Sequence, residues 1–172
     1  ARQLKQAGRD DIRFLLVGDG ADRERLENAA RAAGLDNVIF THRMPKNEIP
    51  DLLASIDACL IHLKKKDLFR SVMPSKIYEA AAMARPIILG VEGFAAEIVR
   101  SASAGICIEP ENAEQLLDAV SRLAGNRSQA EELGRNGYEN IAPRFDYDNL
   151  AQEYLKIIEQ VARAPTSGAP AM

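Results

Sequence analysis

Residues 58–90 read ACLIHLKKKDLFRSVMPSKIYEAAAMARPIILG, and their pattern decides the fold. An apolar run at 58–63 is followed by a polar stretch, a helical pattern over 75–84 entered at Pro74 and Ser75, and a second apolar run at 86–89. Proline is favoured at a helix start because its missing N–H would find no intrahelical partner there. Strand, loop, helix and strand in this order make a crossover unit, which joins parallel strands.

The same alternation extends in both directions. Short apolar runs at 12–17, 37–40 and 105–108 predict three more strands. Stretches of helical period at 21–33, 47–55, 95–101, 113–123, 128–140 and 147–162 predict the remaining helices, several opened by Asp, Asn or Ser in capping positions. The runs IRFLLV and ACLIHL are almost continuously apolar, as expected of strands covered by helices on both faces. The fold class is therefore α/β, a Rossmann-like doubly wound parallel sheet.

Composition narrows the function. With 172 residues the chain can bury one sizeable core. Its 22 basic and 25 acidic residues give a net charge of −3, which points away from nucleic acid. No apolar run has membrane-spanning length, and the first residues lack the apolar stretch of a signal peptide. Cys59 and Cys107 each sit in a strand-like run, far apart in sequence, and read as buried free thiols suited to a reducing cytoplasm.

Ligands of open α/β sheets bind beyond the carboxyl ends of the strands. That rule selects the loops 18–21, 41–47, 64–74, 90–94 and 109–112. In VGDG, Gly18 and Gly20 lie between a strand and a helix, where small residues let backbone approach a phosphate or sugar. The third glycine of a dinucleotide fingerprint is missing, and a tight turn with Asp22 as helix cap reads the same residues equally well. The helix entered at Pro74 presents the free N–H groups of Ser75 and Lys76, and the Lys76 charge suits a diphosphate. Glu79, one turn further on, is placed to accept hydrogen bonds from both ribose hydroxyls.

PSKIYEAAAMARPII at 74–88 resembles the motif of family 4 retaining glycosyltransferases of GT-B fold. VGDG, then 40–63, 90–123 and 145–159 are similar to successive blocks of that family's C-terminal, donor-binding domain, so the resemblance spans roughly 12–160. It implies binding of a nucleoside-diphosphate sugar, usually a UDP-sugar, in a cleft between two Rossmann-like domains. It also implies retention of configuration, no metal or other cofactor, and a saccharide or lipid-linked acceptor. The PSK variant looks like a subgroup of bacterial lipopolysaccharide, capsule and exopolysaccharide enzymes, which implies a cytoplasmic location, peripheral to the inner face of the membrane. By resemblance Gly18, Gly20, Pro74, Ser75, Lys76, Glu79 and Gly93 meet the donor, and Arg43 and Met44 flank the base. Glu79 matches the second glutamate of the family's pair, whereas Ser71 stands at the first. The family's first strand of this domain and its acceptor-binding domain have no counterpart in the sequence. Residues 1–162 are thus expected to be a nucleotide-sugar-binding domain, inactive alone, and 163–172 a disordered tail.

Other candidates have plainer readings. His62 ends a strand whose phase the sequence leaves open; Lys64, Lys65 and Lys66 read as a solvated loop; Asp146, Tyr147 and Asp148 spell DxD but open the last helix, where a cap is expected rather than a metal site. His42 belongs to the base-facing loop, and Glu92, Phe94 and Glu97 lie with Gly93 where a strand meets its helix. A non-catalytic nucleotide- or partner-binding module, and a sugar-nucleotide epimerase of similar fold, are the rival functions.

Overall fold

The computed structural model describes residues 1–163, and each expected strand and helix forms there with boundaries shifted by a residue or two. A short helix α1 (Arg2–Gln6) precedes β1 (Phe14–Val17), α2 (Arg23–Ala32) and β2 (Val38–Thr41). A 3-10 turn at Lys46–Glu48 leads to α3 (Ile49–Ser55) and β3 (Cys59–His62), and another at Asp67–Ser71 to α4 (Lys76–Ala82). Then come β4 (Ile87–Gly90), α5 (Phe94–Ser101), β5 (Gly105–Cys107), α6 (Ala113–Gly125), α7 (Arg127–Asn140), a 3-10 turn at Ala142–Phe145 and α8 (Tyr147–Arg163). The tail expected at 163–172 lies outside the described residues, apart from Arg163, which closes α8.

Caps set several helix starts. Asn112 and Asn126 accept the N–H groups of Gln115 and Gln129, each at 3.0 Å. Asp146 accepts from the amides of Asp148 and Asn149, each at 3.1 Å, so the DxD sequence opens α8 as expected. Asp22 differs: it precedes α2, but its carboxylate accepts from Arg25 Nε at 2.9 Å instead of capping.

All strand pairs are parallel, which fits the α/β class, but the strands form two sheets rather than the one expected. One sheet is β1-β2 and the other β3-β4-β5. The reason is topological. A doubly wound sheet runs in the order 3-2-1-4-5-6. If β1 to β5 take places 2 to 6, the observed pairings follow and a central strand is needed between β1 and β3. No described segment supplies it.

The three-stranded sheet holds the core. Cys59, Ile61, Ile87 and Leu89 pack with α3, α4, α5 and Ile141 on one face, while Ile88 and Ile108 pack with α6 on the other. Gly105 allows β5 to lie against β4, since a Cβ there would stand 2.0 Å from the Ile87 carbonyl oxygen. Residues 1–44 contribute to neither cluster. Both cysteines are free thiols, Cys59 buried and Cys107 half-buried, and burial pushes both thiols up from their ordinary range.

Candidate functional site

The candidate residues gather at the carboxyl ends of the strands, in two groups. The first belongs to the loops after β1 and β2. Asp19, between Gly18 and Gly20, accepts the Arg43 N–H at 3.0 Å through Oδ2, and its Oδ1 lies 3.1 Å from His42 Nδ1. The Arg43 amide, and then His42, hold the Asp19 carboxyl below the usual carboxylate range. Arg23 donates from Nη1 to the Gly18 carbonyl at 2.6 Å and to that of Thr41, while Nη2 meets Glu27 at 2.7 Å. Gly18, Gly20, Arg43 and Met44 are thereby brought together.

The second group lies at the entry to α4. Ile77 donates to the Pro74 carbonyl, and Tyr78 and Glu79 to that of Ser75. The amides of Ser75 and Lys76 have no acceptor among the described residues. Ser75, Lys76 and Glu79 are exposed, and the carboxylate of Glu79 has no ion-pair or hydrogen-bond partner among the described residues. The Cys59 thiol is pushed up by burial and then by Glu79, with Lys76 acting in the opposite direction. Pro74 is half-buried at the entry.

Gly93 precedes α5 with φ of 74°, and a Cβ there would meet the Arg70 carbonyl oxygen at 2.2 Å. The backbone of the 67–71 turn therefore lies directly on Gly93. Ser71 ends that turn with its hydroxyl donating to the Leu68 carbonyl at 3.3 Å. Phe94 and Glu97 are exposed at the start of α5.

The structure settles the phase of His62. Its Nε2 accepts the Glu111 N–H at 2.7 Å, which leaves Nδ1 to carry the proton of the neutral ring and occupies the nitrogen a general base would use. The Glu111 carboxylate accepts the Lys65 amide at 3.0 Å, and Lys65 Nζ approaches Glu92 at 3.8 Å. Lys65 is thus tied to acidic partners, and all three lysines, 64 to 66, are exposed. Arg25, and to a smaller degree Lys64 after β3, hold the carboxyl of Asp22 below the usual carboxylate range.

Sequence reasoning passed over Asp19, Arg23 and Glu111. The acid between two glycines was the available signal for Asp19. Glu111 adopts φ of 64° without being glycine, and nothing in its sequence neighbourhood announces this. Two shallow concavities, one against α1 and one beside β2, contain none of the candidate residues.

Among known proteins, the chain resembles the 2-deoxystreptamine glucosyltransferase of Streptomyces kanamyceticus, with 29% identity over 160 residues, 92% of this chain and 40% of that one. It is 28% identical over 145 residues to a GDP-mannose-dependent alpha-(1-6)-phosphatidylinositol monomannoside mannosyltransferase of Mycobacterium tuberculosis, covering 83% of this chain and 38% of that one. Its fold matches HepE of Anabaena, solved in complex with UDP-glucose, at a TM-score of 0.74 and 20% identity over 88% of this chain and 42% of that one. The chain therefore spans about two fifths of the length of these relatives. Residues 1–140 match the family described as Glycosyl transferases group 1, and the chain belongs to that family.

Proposed function

We propose that this chain is the donor-binding half of a glycosyltransferase, holding a nucleoside-diphosphate sugar, foremost a UDP-sugar, against an acceptor-binding unit. The observation that carries the reading is the entry to α4, where two amides and the Glu79 carboxylate, without partners among the described residues, lie with the Lys76 ammonium within two turns of helix. Amides and ammonium stabilise diphosphate charge, and most strongly when it develops on the leaving group during transfer. Glu79, a turn away, accepts from the ribose hydroxyls. Gly18 and Gly20 admit the donor, Arg43 and Met44 flank the base, and Gly93 lies beside the sugar.

The full reaction is transfer with retention and without a metal, to a saccharide or lipid-linked acceptor, in the synthesis of bacterial lipopolysaccharide, capsule or exopolysaccharide. Such chemistry places the protein in the cytoplasm, peripheral to the membrane's inner face. Among the described residues no helix is long and apolar enough to cross a membrane. Binding, rather than turnover, is the expected property of this unit alone.

Calorimetric titration with UDP, GDP, ADP and their sugar conjugates tests the reading. Selective binding of a uridine nucleotide is expected. Glu79→Ala should weaken it about tenfold or more, the worth of hydrogen bonds to a charged group at ~1.5–3 kcal/mol. An unchanged affinity in that variant would refute the assignment of Glu79. A non-catalytic binding module is favoured by one observation, the Ser71 hydroxyl turned back onto Leu68 where the resemblance expects a carboxylate. Glycosyl transfer by this unit joined to an acceptor-binding domain would rule that alternative out.

A further inference from the structure

Asp19 and Arg23 tie two loops from different strands into one piece. Both carboxylate oxygens of Asp19 are engaged across 23 and 24 residues of sequence, with His42 and with the Arg43 amide. Arg23, with a side chain only 18% exposed, bridges the carbonyls of Gly18 and Thr41 and is itself held by Glu27. The exposed Asp19–His42 contact adds little to stability by itself. The effect of these contacts together is geometric, because residues 41–43 are fixed against the turn at 18–19. Asp19 consumes the Arg43 amide, and the Arg43 carbonyl and Met44 amide stay without a partner among the described residues.

We propose that Asp19 and Arg23 are positioning residues that set which nucleobase the loop at 42–44 accepts. The proposal rests on the reading of this end of the sheet as a nucleotide site. Bases differ in their pattern of donors and acceptors more than in shape. A site rejects the wrong base when its own polar groups are held in place and left unpaired by it, whereas a loose loop re-pairs with water or with another base. The clamp supplies the required fixity, with both Asp19 oxygens engaged by the loop at 42–43.

The test is a titration of the chain with UDP, GDP and ADP. Asp19→Ala should lower affinity for the preferred nucleotide about tenfold and bring the three affinities within about threefold of one another. Asp19→Asn, whose amide oxygen can still accept from Arg43, should keep the preference of the unmutated chain. Arg23→Lys, reaching one carbonyl instead of two, should fall between. Glu79→Ala serves as the contrast, since ribose is common to all three and the preference should survive a uniform loss. An Asp19→Ala protein that keeps the original preference, or loses affinity for all three equally, overturns the proposal while the Glu79 result leaves the site assignment standing. An unmutated chain that binds the three alike overturns it as well, and one that binds none removes the site assignment and the proposal together.

Discussion

The two sheets are written in the same kind of sequence and end in different physical states. Leu15, Leu16 and Val17 of β1 are as apolar as Ile87, Ile88 and Leu89 of β4, yet the first three are 37–40% exposed and the second three at most 2%. The difference lies in the neighbours. β4 has a strand on each side and helices over both faces, whereas β1 pairs with β2 alone. The same contrast recurs in α8, which has an apolar stripe through Leu150, Tyr154, Ile158 and Val161 and no buried residue. A continuous apolar strand therefore reports the covering it is built for, and whether that covering is present is a separate matter of topology.

The largest expected effect is at the tightest point of the buried sheet. Gly105→Val would drive side-chain atoms into the Ile87 backbone, from which even a Cβ would be 2.0 Å away, and β5 cannot move without leaving β4. Loss of the cooperative unfolding transition in circular dichroism is expected. A variant that melts like the unmutated chain would mean the second sheet is less rigid than its packing indicates.

The contrast between the sheets is sharpened by one pair of variants. Leu89→Ala removes a side chain with no exposure and should cost about 2–5 kcal/mol in urea unfolding. Leu16→Ala, at 38% exposure, should cost less than about 1 kcal/mol. Equal costs would erase the distinction drawn between the two regions.

Acidification should act on the first region. Asp11, Asp19, Asp22 and Asp36 all lie there and are all held below the ordinary carboxylate range, by Arg9, by the Arg43 amide, by Arg25 and by Lys5 respectively. A carboxyl lowered on folding contributes stability that is complete above its unfolded value, about 4, and is lost as pH falls through the lower folded value. Protection of the β1 and β2 amides, taken relative to the intrinsic exchange rate at each pH, should therefore fall below about pH 4, at a higher pH than protection of the β4 amides. Simultaneous loss of protection in both sheets would break the comparison.

Much of this was legible in the sequence, for reasons that local patterns can carry. Pro74 and the helical period after it placed α4, and Asp146 announced the cap of α8. The division into two sheets was not legible, because strand pairing depends on which edges meet and β1 reads as a central strand wherever it stands. The candidate site was legible where chemistry sits on a helix, as with Lys76 and Glu79. It was hidden where backbone meets side chain across the fold, as in the contacts of Asp19 with Arg43 and of Glu111 with His62.

The smallest expected effect concerns the thiols, and it asks whether the two regions open separately. Cys59 and Cys107 both lie in the three-stranded sheet, and burial disfavours their thiolates, the forms that react with alkylating agents. At neutral pH iodoacetamide should modify them far more slowly than it does a free thiol, and urea should speed the reaction only as that sheet unfolds. If the regions are distinct, mild urea will release the protected amides of β1 and β2 while both thiols stay unmodified. Labelling that rises together with the release of those amides would instead make the chain one cooperative unit. In that case the exposed apolar surface of β1 would be tolerated by a stability that the second sheet supplies to the whole.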